Sequence, residues 1–393
     1  MSRPPTSLRL ALVAFAAGST MLVVACTGPE GDPDGLGRAT AGKQPTTQTG
    51  EPSDGEGEPS PSPSRTSPPS GPVEPRVVDT VATDLEAPWG IDFLPDGTAL
   101  VSERDTTKVL AIENGSVRTV GEVGGAAPQG EAGLLGLAVS PTYDEDSLVY
   151  AYFTSPVDNR VVKMTFDGDR LGPPEVVLDG IPSGFIHDGG RLEFGPDGHL
   201  YVSTGETGEE QLAQDPSSLG GKILRITTDG RPAPGNPVAG SPVWTMGHRN
   251  VQGLAFDDRE RLWASEFGES TWDELNQIQK ARNYGWPLVE GKGDLAEYRN
   301  PFAQWRTAEA SPSGLAYRDG SLWMASLRGE RLWQIEVGRD SISEPKDHFV
   351  GSYGRLRTVV VAPDGNLWVS TSNRDGRGDP AAKDDRILEI ALR

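Results

Sequence analysis

The chain has one cysteine in 393 residues, Cys26. A single thiol excludes an intramolecular disulfide framework and any cysteine-ligated zinc or iron–sulfur centre. Basic residues are also scarce: 36 Lys and Arg stand against 57 Asp and Glu, a net charge of −21. That balance excludes non-specific nucleic-acid binding and a polybasic membrane surface. Only 35 % of the residues are hydrophobic, and no apolar run reaches the roughly 20 residues of a membrane-spanning helix. The apolar shortage is local, because residues 27–75 are mostly Gly, Pro, Ser, Thr, Asp and Glu, as in Ser60-Pro61-Ser62-Pro63. Such a segment cannot bury enough apolar surface to offset its conformational entropy and reads as a flexible tether. About 320 residues remain, enough for one large core or two smaller ones. Nine Trp, eight Tyr and ten Phe favour strands over a helical bundle.

Ahead of the tether, Arg3 and Arg9 precede the apolar run Leu10 to Ala25. This is the charged region and short hydrophobic region of an export signal. The run ends in Val23-Val24-Ala25-Cys26, which resembles the bacterial lipobox. That resemblance implies cleavage before Cys26, a lipid on its thiol, and an extracytoplasmic protein held to the cell membrane by the lipid alone. The expected organisation is a leader over 1–25, a lipidated cysteine and tether over 26–75, and a folded domain over 76–393.

Within the expected folded domain a single formula recurs six times: a turn rich in Asp and Gly, then an alternating strand. Leu94-Pro95-Asp96-Gly97 leads into Ala99–Ser102, Gly195-Pro196-Asp197-Gly198 into Leu200–Ser203, and Pro363-Asp364-Gly365 into Leu367–Ser370. The other copies lead into Leu148–Ala151, Leu262–Ser265 and Leu322–Ser326. Asp and Gly tolerate positive φ and make tight turns; the strand is expected to bury one face. A second strand follows most copies, with Leu275–Ile278 the least regular. Six clusters at intervals of about 45–60 residues predict an all-β, six-bladed β-propeller. Val77–Val81 and Arg386–Leu392 are candidates to close the ring.

In such a ring, function lies in loops at one end of the channel. Five loops carry residues suited to chemistry. His187-Asp-Gly-Gly-Arg191 offers a general base among glycines. Glu206, after the strand that this loop introduces, returns to the same end and can orient the imidazole. Gly247-His-Arg-Asn-Val-Gln-Gly253 presents Arg249 and Asn250 to an oxyanion or carbonyl. Glu266 to Asn276 holds four acids before Leu275 in an oxygen-rich stretch that suits calcium or is simply a solvated acidic loop. Arg355 and Arg357 share one side of a strand, with Arg328 as a third cation; they meet either an anion or the protein's own Asp and Glu.

Together His187–Leu192, Gly247–Gly253, Asp273–Asn276, Asn283–Pro287 and Gly130-Glu-Ala-Gly-Leu-Leu-Gly136 resemble the glucose/sorbosone dehydrogenase family, from about Ala87 to the C-terminus. That family comprises six-bladed propellers that oxidise aldoses with pyrroloquinoline quinone (PQQ) and calcium. The resemblance implies that His187 is the base, with Glu206 behind it, and that Arg249 polarises the quinone carbonyl. It also implies that Glu131, Arg249, Asn250, Arg328, Arg355 and Arg357 contact PQQ. Calcium would sit on the backbone carbonyls of Gly268 and Glu269, with Asp273 and Glu274 as further candidate ligands. Glucose-specific relatives carry Gln at 131, Asp at 206, Pro at 269 and Lys at 328, so a broad aldose preference is expected, with an external electron acceptor. Two other functions fit a tethered propeller: a calcium-dependent lactonase of the gluconolactonase kind and a non-enzymatic binding module.

Overall fold

The computed structural model describes residues 74–392. The leader and nearly all of the tether, Cys26 included, lie outside these residues. The first strand, Pro75–Ala82, begins one residue inside the segment read as tether.

Among the described residues, twenty-four strands form six four-stranded antiparallel sheets. The innermost strands are Pro88–Phe93, Leu134–Val139, Leu192–Phe194, Asn250–Phe256, Pro312–Arg318 and Leu356–Val361. Five sheets use four consecutive strands. The sixth joins Leu356–Val361, Leu367–Thr371 and Ile387–Leu392 to Pro75–Ala82, with Pro75 opposite Leu392 and Ala82 opposite Ile387. This is a six-bladed β-propeller closed by its two ends, and closure removes the open edges a sheet would otherwise expose. The irregular strand is Trp272–Ile278, in full register with Leu262–Phe267 from Glu274 onward.

The recurring turn works through its aspartate. Asp96 accepts the Thr98 amide at 2.9 Å and Asp197 accepts the His199 amide at 3.1 Å, while Gly97 and Gly198 take φ of 92° and 73°. In the fourth blade no glycine is available. Glu260 takes φ 60° instead, and Asp257 accepts the amides of Arg259 and Arg261.

The second strand of each blade buries both faces rather than one. Ala99–Glu103, Leu200–Ser203 and Ser321–Ser326 are buried throughout. Successive side chains feed different cores: Val149, Ala151 and Phe153 pack toward the first blade, Tyr150 and Tyr152 toward the third. Each sheet is thus a wall between two cores, which a single-faced reading of the alternation misses.

All innermost strands begin at the same end of the channel. The connections arriving there are those between the second and third strands of a blade and those between blades; the long connection 279–302, between the third and fourth strands of the fourth blade, also reaches this end through Glu290. The tight Asp-Gly turns lie at the opposite end.

Candidate active site

His187 lies between the second and third blades in a left-handed backbone conformation, φ 58°. Its amide donates to Glu131 Oε2 at 3.1 Å and its carbonyl accepts the Thr207 amide. The ring is held at Nδ1, 2.5 Å from Glu206 Oε1. With Glu206 ionised, Nδ1 is the donor, so Nε2 carries the lone pair. Glu206 is buried, its amide is fixed on the Arg249 carbonyl at 2.9 Å, and its Oε2 has no partner among the described residues. Gly205 is required here, because a Cβ would lie 1.8 Å from the His187 carbonyl oxygen. Asn250 Oδ1 accepts the Gly189 amide at 3.1 Å and so ties the histidine loop to the fourth blade.

Arg249 lies over the Trp286 ring at 5.3 Å, and its amide donates to Glu266 Oε1 at 2.6 Å. Its Nε is buried without a partner among the described residues. Glu266 in turn holds Nδ1 of the buried His248, which stacks on Tyr284. His248 is therefore a framework residue, not a second base.

The Gly268–Thr271 loop is organised by Glu290, a residue with no local sequence signal. Glu290 Oε1 receives the amides of Glu269, Ser270, Thr271 and Trp272 at 2.8–3.1 Å. Burial pushes the Glu290 carboxyl up, but these four amides outweigh it and hold the carboxyl below its ordinary value. With the amides gathered inward, the carbonyls of Gly268 and Glu269 accept no hydrogen bond among the described residues. Asp273 and Glu274, the further candidate ligands, each have both carboxylate oxygens in hydrogen bonds. Asp273 accepts the Gly268 and Ser311 amides, one on each oxygen, and Glu274 accepts from Gly291 and Asn276. Both are buried, and burial raises both carboxyls, Asp273 to about 6. They brace the loop with oxygens already engaged.

Beside this loop a cavity of about 360 Å³ opens at the same end of the channel, walled by Arg104, Arg328, Arg355, Arg357 and Arg377 with Glu131, Gln252, Phe267, Ser311 and Leu327. Phe267 also lines a narrow recess holding Arg249 and Gly268, so the two sites adjoin. Four of the five guanidiniums already have internal partners. Asp375 Oδ2 accepts from Arg355 at 3.0 Å and from Arg357 at 3.4 Å, Asp105 from Arg104 at 2.6 Å, and Glu131 from Arg377 at 2.7 Å. The arginine pair thus meets the protein's own acid, one of the two outcomes its sequence allowed. Burial pushes Asp375 up, but Arg357 and Arg355 outweigh it, so its carboxyl lies below the ordinary range. Burial lowers Arg357 to about 10, still protonated at neutral pH. Arg328 is exposed and has no ion pair among the described residues.

The structure therefore groups His187, Glu206, Glu131 and Asn250 around one loop, and Arg328, Arg355 and Arg357 around one cavity that Glu131 also reaches. Glu131 engages His187 and Arg377 with one oxygen each. Arg104, Gln252, Glu290, Asp375 and Arg377 escaped the sequence reading. Their common signal is position, on or beside connections that reach this end of the ring.

The same arrangement places the chain among known proteins. Residues 85–381 match the family model for glucose/sorbosone dehydrogenase. The aldose sugar dehydrogenase YliI of Escherichia coli is 27 % identical over 337 residues, 76 % of this chain and 91 % of that protein. Quinoprotein glucose dehydrogenase B of Acinetobacter calcoaceticus is 34 % identical over 256 residues, 56 % of this chain and 54 % of that protein. The PQQ-bound aldose sugar dehydrogenase of Streptomyces coelicolor has 55 % identity and a TM-score of 0.81, covering 83 % of this chain and 100 % of that one. The histidine loop, the five cavity arginines and the Glu290-braced loop all fall inside the matched span: the chain belongs to the glucose/sorbosone dehydrogenase family.

Proposed function

We propose that the protein oxidises aldose sugars at C1 to the corresponding lactones, using PQQ and calcium and passing the electrons to an external acceptor. The observation that carries this reading is an oriented imidazole at the same channel mouth as a cavity of about 360 Å³ walled by five arginines. A planar tricarboxylate suits that cavity in charge and in size. Calcium suits the Gly268 and Glu269 carbonyls, two hard oxygen donors left without hydrogen bonds among the described residues.

When bound, PQQ supplies a two-electron acceptor for the hydride leaving C1. The remaining work belongs to the chain. His187 Nε2 takes the proton of the C1 hydroxyl, and the buried Glu206 stabilises the imidazolium that results. Arg249, whose Nε has no partner among the described residues, would hold a developing oxyanion. Arg355 and Arg357 would hold carboxylates of the cofactor by charge-assisted hydrogen bonds. The described residues contain no group of three or more His, Cys, Asp or Glu side chains placed to share an ion, so a lactonase with a side-chain metal centre has less support.

Reconstitution of the apo-protein with PQQ and calcium, followed by aldose and dye, tests the reading. Dye reduction is expected, and His187→Asn is expected to lower kcat by about 10²–10⁴-fold while PQQ binding, read by absorbance, persists. Absence of PQQ binding, or full activity in the variant, overturns it. We also propose, from the sequence motif alone, that the mature protein begins at a lipidated Cys26; mass spectrometry of membrane-extracted protein finding an unmodified thiol would refute this.

A further inference from the structure

Glu131 reaches two regions of the site that are distant in sequence. Its own placement is rigid: the Glu131 amide donates to the Phe185 carbonyl at 3.0 Å, and Gly130 before it leaves no room for a Cβ, which would lie 2.2 Å from that carbonyl oxygen. From this fixed position Oε2 accepts the His187 amide at 3.1 Å and Oε1 accepts Arg377 Nη1 at 2.7 Å. The Arg377 amide in turn donates to Asp375 Oδ1 at 3.0 Å, and Asp375 holds Arg355 and Arg357. One run of contacts therefore joins the base to the guanidinium cavity.

The internal ion pairs of the cavity differ in shielding. Asp375 is almost fully buried with both its arginines, whereas the Arg377 side chain is 53 % exposed. A half-exposed pair is held weakly and exchanges readily. The His187 contact is the opposite kind, because it supports a non-glycine residue in a left-handed conformation that is unfavourable without such support. Burial pushes the Glu131 carboxyl up, but the His187 amide and Arg377 hold it below its ordinary value, so it stays charged for both contacts.

We propose that Glu131 and Arg377 form a clasp across the cavity mouth: Glu131 is a positioning residue that fixes the backbone of His187, and Arg377 exchanges its pair with Glu131 for one with a carboxylate of the ligand in the cavity. The identity of that ligand as PQQ rests on the proposed function; the effect of Glu131 on His187 does not.

Two measurements test the two halves. In apo-protein, two-dimensional ¹⁵N NMR of the histidine rings reads the His187–Glu206 pairing. Glu131→Gln keeps an acceptor for the His187 amide and is expected to leave the His187 ring signals in place. Glu131→Ala is expected to shift them toward a mixed tautomer, and unshifted signals would refute the positioning role. In the second measurement, PQQ is titrated by absorbance. Arg377→Gln is expected to weaken binding about tenfold, with Arg377→Lys recovering some of the loss. Glu131→Gln, which releases Arg377 and removes a negative charge, is expected to tighten binding several-fold, and the share of this gain that comes from releasing Arg377 should be lost in the Arg377→Gln background. Unchanged affinity in Arg377→Gln, or strictly additive effects in the double variant, would refute the exchange. If the wild-type protein takes up no PQQ at any concentration tested, the proposed function fails and the exchange of Arg377 with it, whereas the NMR arm still decides the role of Glu131.

Discussion

At one mouth of the central channel, a cavity of about 360 Å³ is ringed by arginines. At the other, a cavity of about 310 Å³ is walled by the last residues of the innermost strands, with Asp92, Arg191 and Glu193 as its charged side chains. Arg191 stands between them, its Nε on the Gln252 carbonyl at 2.8 Å and its guanidinium over Trp89 at 4.3 Å. The cavities are similar in volume, but the charges in them behave differently. Glu131 and Asp375 at the first mouth are held below the ordinary carboxyl range by cations and amides. At the second, burial raises Asp92 to about 6 and Glu193 to about 8. A ring of sheets supplies two openings, and only the loops decide which one attracts an anion. The second mouth is edged by tight Asp-Gly turns that have no length to spare for donors. The first receives longer connections, such as 123–133, 204–221 and 372–386. It can therefore gather side chains from distant stretches of the sequence.

If charge rather than volume separates the two mouths, removing charge at the first should abolish the difference. The double variant Arg355→Gln/Arg357→Gln is expected to weaken PQQ binding by about 100-fold or more, since charge-assisted hydrogen bonds are worth roughly 1.5–3 kcal/mol each and Asp375 is then left buried without its cations. Absorbance titration at constant ionic strength measures it. Affinity within threefold of wild type would mean that shape dominates and the comparison fails.

Much of the ring was legible in the sequence because its signal is local. A turn rich in Asp and Gly followed by an alternating strand, such as Leu200-Tyr-Val-Ser203 or Leu367-Trp-Val-Ser370, occupies a few adjacent positions, and six copies of that formula specify six blades. What the alternation could not show is that both faces of the second strands are buried, since that depends on the neighbouring blade. The site divides in the same way. His187, Arg249 and Asn250 stand out because glycines bracket their loops, and Arg355 and Arg357 because two arginines alternate in an acidic chain. Glu290, Asp375 and Arg377 are single charged residues among many. Glu290 acts on amides 18 to 21 positions away, and Arg377 pairs with a carboxylate 246 positions away. Asp273 and Glu274 show the complementary case: their sequence offers them as ligands, but not that each of their oxygens already accepts a hydrogen bond from a backbone or side-chain amide.

Glu290 also sharpens the comparison, because it uses a carboxylate at the cationic mouth without lining the arginine cavity. Glu290→Gln keeps an acceptor for the amides of residues 269–272 but loses the charge that four of them share. The loop should loosen, and the calcium concentration for half-maximal activity should rise several-fold, an effect of about 1 kcal/mol. PQQ affinity in excess calcium should change much less. Activity titrated against calcium in each variant separates the two. An unchanged calcium requirement would indicate that the loop holds its shape by other contacts.

The smallest effect belongs to the second mouth, where the comparison predicts a change in stability and none in ligand binding. Glu193 binds its proton more tightly in the folded protein, at about 8, than at its ordinary value of 4.5. Stability therefore falls as pH rises from about 4.5 toward 8, because the folded state resists losing a proton that the unfolded chain gives up freely. Glu193→Gln removes that fall. Water in the cavity still reaches this carboxyl, so the difference from wild type should be about 1–2 kcal/mol across pH 5–8, below what the whole shift implies. Urea denaturation at both pH values measures it. PQQ affinity should stay within about twofold of wild type, since a charge at the far mouth is screened over the length of the channel. If Glu193→Gln alters PQQ affinity as strongly as the arginine variants do, the two mouths are electrostatically coupled through Arg191, and the separation of stability from binding along the channel is wrong.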